Sequence, residues 1–183
     1  MDKKYNKIWR LCIPYVKAGR EKDFIHVKGV IKAMEIIIKS GIGDESLLMP
    51  AAILHDAGWS MVSKKLQLSK KKNDRVKALK LHIENSAKIA KRILLKVGCE
   101  PKKINKIISI IKAHKFHNPK EINKRILIDA DALSDSFREQ FQGDLKYYKA
   151  NRLFWYNFRK KDNKFYTKIA EKVFNEEIEK RLK

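Results

Sequence analysis

The chain has 183 residues, 44% apolar and 35% charged, which suits one globular core and excludes a disordered sequence of low hydrophobicity. Seven Gly and four Pro exclude collagen-like and turn-rich all-β sequences. The 43 basic residues (34 Lys, 9 Arg) against 21 acidic ones give +22, a field that attracts polyanions; their even spread reads first as a solvated lysine-rich surface and second as a polyanion-facing one.

The predicted elements are nearly all helices. Residues 3–17 mix apolar and basic positions and are interrupted by Pro14. The spacing predicts a helix over 23–40, with His26, Val30, Ala33 and Ile37 on one face, Asp23 as N-cap, and Gly41 and Gly43 as its stop. A short apolar helix follows over 45–56, ending near Gly58. Residues 59–74 (WSMVSKKLQLSKKKND) are polar and poorly periodic and read as a loop or lid with a weak helical turn. A long helix over 75–97 carries His82, Ser86, Ala90 and Ile93 in register and stops at Gly98. Pro101 suits the first turn of the next helix, which runs through IISIIKAHKFH until Asn118-Pro119 breaks it. Residues 122–137 hold ILIDADALSDSF, residues 143–163 are aromatic and basic, and an amphipathic helix over 165–182 closes the chain.

No linker divides the sequence, and the connections suit one antiparallel helical bundle over residues 1–183. No apolar run reaches the length of a membrane span, so no membrane association is expected. The first residues, MDKKYNKIWR, show no secretory pattern. Cys12 and Cys99 form neither a disulfide framework nor a thiolate metal cluster, and a reducing cytoplasm is the expected setting.

Polar residues on apolar faces carry the functional signal. There are five histidines, His26, His55, His82, His114 and His117. A single histidine on an apolar stripe is ordinarily a satisfied core residue. Here His26, His55, His82 and His114 each lie on the stripe of a different helix, which is costly unless something satisfies the imidazoles. Asp56 follows His55 directly, and Asp129 and Asp131 interrupt the apolar RILIDADAL. Mutual His–Asp hydrogen bonding accounts for two of these groups. A divalent cation held between facing helices accounts for the set.

The ordered pattern His26 … His55-Asp56 … His82 … His114 … Asp131, with AAILHDAG around the dyad and DADALS late in the chain, resembles the HD-domain metal-dependent phosphohydrolase superfamily. The resemblance spans residues 20–137, leaving 138–183 as a C-terminal aromatic and basic extension, and it implies an all-α bundle. It implies His26, His55, Asp56 and Asp131 as metal ligands, with Asp129 either behind them or, if the register shifts by two, in place of Asp131. His82 and His114 match additional ligands for a second metal, or groups facing a substrate phosphate. His117 competes with His114 for that role. No acidic residue follows the dyad within a turn, unlike the nucleotidase branch that uses one, and no GYP-type signature of cyclic-dinucleotide phosphodiesterases is present.

A donor set of imidazole and carboxylate favours one or two ions of Mn, Fe, Co, Ni or Zn over Mg. Such a centre activates water for attack on a phosphate ester or anhydride, with Asp56, His82 and His114 as catalytic residues. Lys28, Lys64, Lys65 and the Lys70–Lys72 run are candidate substrate contacts, as are Arg125 and Arg138. The aromatic cluster at 147–158 packs the bundle or stacks on a base. The expected partner is a small anionic substrate, a nucleotide first; nucleic acid is compatible with the charge, and a homodimer is left open. Two other readings stand beside the phosphohydrolase: a basic nucleic-acid-binding protein with a structural or vestigial His/Asp site, and an HD-type di-iron oxygenase.

Overall fold

The computed structural model describes residues 3–116 and 118–183. His117, one of the two candidates for the same role, lies outside the described residues. After a 3₁₀ turn at Lys3–Tyr5, the chain forms α1 (Asn6–Ala18), α2 (Asp23–Lys39), α3 (Glu45–Leu54), a second 3₁₀ segment (Ala57–Met61), α4 (Lys64–Leu68) and α5 (Lys72–Lys96). It continues with α6 (Pro101–Lys112), α7 (Ile122–Ser134), α8 (Arg138–Tyr148), α9 (Arg152–Asp162) and α10 (Lys168–Glu179). No strand occurs among the described residues, so the expected all-α architecture holds.

α3 is the axis of the bundle. Leu47 to Leu54 are all buried, which a helix apolar on every side requires. It packs against α1, α2, α5, α6 and α7. α2 lies between α3 and α7 and also meets α8, while α5 packs on α6 and on the second 3₁₀ segment. One apolar cluster runs from Tyr5 and Ile8 through Val30, Leu48, Ile93, Ile107 and Leu127 to Phe174 and Ile178.

Several local expectations are corrected. Pro14 lies inside α1 without ending it. Asp23 is the first helical residue rather than the cap; the cap position is Lys22, and the Asp23 carboxylate accepts from the N–H and Nε of Arg20, both at 2.7 Å. The 59–74 segment is not a loop, because the 3₁₀ turn, α4 and the first turn of α5 fill most of it. Ser63 caps α4 by accepting from Leu66 N–H, a device too local for periodicity to reveal. α6 ends at Lys112, so His114 sits on the turn beyond it. The stop at Gly98 is as expected: Gly98 and Cys99 N–H return to Leu95 and Leu94 carbonyls, with Gly98 at φ +79°.

Candidate metal centre

The His55-Asp56 dyad occupies the abrupt transition from α3 to the second 3₁₀ segment. Two features fix it there. His55 Nδ1 lies 2.8 Å from the Ala52 carbonyl, one of the acceptors left open at the end of α3. Gly58 brings the 3₁₀ backbone against α5, its N–H donating to Ser86 Oγ at 2.8 Å. A β-carbon on Gly58 would meet the His82 carbonyl at 2.0 Å, so only glycine permits this approach. It places Asp56 opposite His82.

His114 repeats the arrangement of His55 at the end of α6. Its Nδ1 lies 2.6 Å from the Ile111 carbonyl. A carbonyl only accepts, so both Nδ1 atoms carry protons and both Nε2 atoms turn inward. His55 Nε2 comes within 3.4 Å of His26 Nε2, and His114 Nε2 within 3.3 Å of His82 Nε2. All four imidazoles, Asp56 and Asp131 are buried.

Asp56 stands between the two histidine pairs. Its Oδ1 is 3.3 Å from His82 Nε2, 3.7 Å from His114 Nε2 and 3.8 Å from His55 Nε2, yet among the described residues it has no hydrogen-bond partner. Its Oδ2 is 3.1 Å from Arg20 Nη2 and 3.5 Å from His26 Nε2. Asp131 Oδ1 lies 3.1 Å from His26 Nε2, and its Oδ2 is ion-paired with Lys115.

A buried carboxylate oxygen without a donor among the described residues, ringed by imidazole nitrogens, is a group that a cation would satisfy. The donor atoms of His26, His55 and Asp56 form one group within 4.8 Å of one another, and those of Asp56, His82 and His114 form a second. The residues therefore fit a divalent cation, with Asp56 common to both groups. The electrostatics agree. Burial pushes His55 down to about 4, leaving it neutral near pH 7 with a free lone pair. Burial would raise Asp56 and Asp131, but the surrounding histidines, and Lys115 for Asp131, hold both well below the ordinary carboxylate range. Both stand ionised.

A cavity of about 180 Å³ opens over the cluster, lined by Arg20, Lys22, Trp59, Lys115, Tyr148 and Arg159 together with His26, Asp56, His82 and Asp131. A larger one of about 620 Å³ adjoins it, sharing Lys115, Asp131, Asp135 and Arg159. Trp59 stacks on the His82 ring at 4.4 Å, and the Arg20 guanidinium lies 3.9 Å from the Trp59 ring centre.

A family model for the HD domain matches residues 23–135, more than half of the chain. The chain belongs to the HD-domain family. The family is typically one of metal-dependent phosphohydrolases, and the His/Asp groups of this HD domain are compatible with a metal site. The searches of curated proteins and of solved structures found no match.

The structure brings together His26, His55, Asp56, His82, His114 and Asp131. Asp129 turns away from the cluster: its carboxylate accepts from the N–H groups of Tyr166 and Thr167 and from Thr167 Oγ1, at 2.6 to 2.9 Å, on the C-terminal side. The candidate substrate cations are not brought to the cavity. Lys28 lies over the Phe24 ring, Lys64 donates to the Gly19 carbonyl at 2.6 Å, and Lys65 is exposed. Arg125 donates to the Pro119 carbonyl at 2.7 Å and faces Tyr166. The cations that do line the HD-domain cavity are Arg20, Lys22, Lys115 and Arg159. Among these, the i,i+3 pairing of Arg20 with Asp23 was the available sequence signal; Lys115 had none beyond its place beside His114.

Proposed function

We propose that this HD domain hydrolyses a phosphate ester or anhydride in a small phosphorylated compound, a nucleotide being the first candidate. The observation that supports it most is the donor-free Asp56 Oδ1 among converging Nε2 atoms, beside a cavity rimmed by cations. His26, His55, Asp56 and Asp131 would hold one divalent ion, and His82 and His114 with Asp56 a second. The histidine-rich set favours Mn, Fe, Co, Ni or Zn over Mg. An ion held there supplies Lewis acidity toward a phosphoryl oxygen and activates water near neutral pH.

The chain's own residues supply the rest. Arg20 and Lys115 approach the two carboxylates from the cavity side and offer donors for phosphoryl oxygens. Trp59 holds the His82 ring in place by stacking. The 138–183 extension contributes Tyr148 and Arg159 to the cavity wall and so belongs to the same functional unit as the motif-bearing core. Cys12 and Cys99 are unbridged, in keeping with the cytoplasmic setting expected for such an enzyme.

The second histidine pair also supports a di-iron oxygenase, since it completes a place for two adjacent ions. Phosphate release from a panel of nucleotides and simple phosphomonoesters, measured anaerobically and in air with each metal, separates the two. The hydrolase reading expects oxygen-independent release that Asp56→Ala abolishes. Turnover only with iron and oxygen would replace it.

A further inference from the structure

The aromatic segment at 147–158 divides between two faces of α9. Trp155 and Tyr156 are buried, and Arg159 pairs with Asp135 and Asp144, both at 2.8 Å. This inner face closes the cavity wall. The outer face is different. Leu153, Phe154 and Phe158 are 56%, 63% and 40% exposed, and Phe154 and Phe158, one turn apart, stack with ring centres 6.5 Å apart. Around this apolar strip residues 146–164 hold seven Lys or Arg and one acid, Asp162. Lys149 and Lys161, at either end of the strip, are exposed and have no ion pair among the described residues.

We infer that the outer face of α9 docks this protein on an anionic lipid bilayer, with Leu153, Phe154 and Phe158 at the acyl boundary and Lys149 and Lys161 among the headgroups. A helix with an apolar crest and lysine flanks lies in the interface plane. Among the described residues no helix is long and apolar enough to cross a membrane, so the contact is one of lying on the surface. A helix that lies in the interface leaves no long apolar run in the sequence. Charge decides among occupants. A second copy brings another +22 and is repelled. A single-stranded nucleic acid would satisfy the lysines but leaves Leu153 in water, and the Phe154 and Phe158 rings already face one another. An acidic bilayer satisfies both kinds of residue. The surface is independent of the His/Asp cluster and does not rest on the hydrolase reading.

The test is co-sedimentation of the full chain with phosphatidylcholine vesicles, with and without about 30 mol% phosphatidylglycerol. The wild type is expected on the acidic vesicles alone, with binding that weakens as salt rises. The double variant Phe154→Ser with Phe158→Ser should lose about tenfold or more in partitioning. Charge reversal at Lys149→Glu with Lys161→Glu should lose at least about fivefold per site. All four positions are exposed, so unchanged thermal unfolding checks that the variants fold. The inference is overturned if the wild type ignores acidic vesicles or if both variants bind like wild type. It is equally overturned if the patch instead drives self-association or binds single-stranded DNA without binding vesicles.

Discussion

Two buried charge networks meet at the end of α7, and they are built on opposite principles. In the one around Asp144, every carboxylate has a donor: Asp144 accepts from Lys22 at 2.8 Å, Arg159 at 2.8 Å and Gln140 at 3.0 Å, and Asp135 pairs with Arg159. Although Gln140 Oε1 and Arg159 Nε are left without partners among the described residues, that network ties α2, α7, α8 and α9 together. In the one around Asp56, acceptors outnumber donors. Imidazole Nε2 atoms face each other, and Asp56 Oδ1 has none. Burial is similar in both. The difference is that protein cations reach the carboxylates of the first, whereas the second leaves a carboxylate oxygen among imidazole nitrogens, a group that could hold a metal ion.

Substitutions separate the two. The largest effect is expected at Asp56→Ala, which removes the carboxylate common to both histidine groups. Metal affinity should fall by more than about a hundredfold, beyond the usual cost of losing an outer partner, while circular dichroism still reports the helices. Titration calorimetry with Mn²⁺ or Zn²⁺ reads it, and unchanged affinity would place the ion elsewhere.

Asp144→Ala should act on stability instead. It leaves Lys22 and part of Arg159 buried without a partner, a cost of about 3–5 kcal/mol in denaturant unfolding. Burial would raise the Asp144 carboxyl, but Lys22 and Arg159 hold it below the ordinary range. Its stabilising contribution is therefore complete above the unfolded value of about 4 and is lost as pH falls toward the lower folded value. Unfolding midpoints should drop more steeply below about pH 4 in wild type than in Asp144→Asn. Parallel curves would remove Asp144 from the acid response.

Gly58→Ala tests how the dyad is positioned. The added carbon meets both the His82 carbonyl and the Ser86 backbone and must push the 3₁₀ segment off α5, which costs about 1–3 kcal/mol or more and moves Asp56 away from His82. Stability and metal affinity should fall together; a fully stable variant with normal affinity would show that the close approach is dispensable.

The smallest effect contrasts the two aspartates of DAD. Asp129→Asn keeps one acceptor oxygen and turns an NH2 toward the other of the Tyr166 and Thr167 amides, so it should cost about 1–3 kcal/mol with metal binding intact. Asp131→Asn should weaken metal binding with little loss of stability. The reverse result would exchange their roles.

Much of this was legible in the sequence. His26, His55, His82 and His114 stood on four helical stripes, and burial of that many imidazoles demanded a partner. The order of His and Asp along the chain carried the family resemblance. Only the family resemblance favours Asp131 over Asp129; the helical pattern alone does not separate them, because both interrupt the same apolar run, and the position of Thr167 shows that Asp129 turns away. Lys28, Lys64, Lys65 and Arg125 were chosen by nearness in sequence, but each spends its charge on a ring, a carbonyl or solvent. Arg20 and Lys115 reach the site through turns outside helical periodicity, at the end of α1 and beyond the end of α6. α4 escaped because five residues are too few to show a period.

The most direct test of the central claim is the metal content of the wild type and Asp56→Ala, purified without a histidine tag or chelator. The account predicts about one or two equivalents of a transition metal in the wild type and near none in the variant. Equal metal in both, or none in the wild type after reconstitution with Mn²⁺, Fe²⁺, Co²⁺, Ni²⁺ and Zn²⁺, would contradict it.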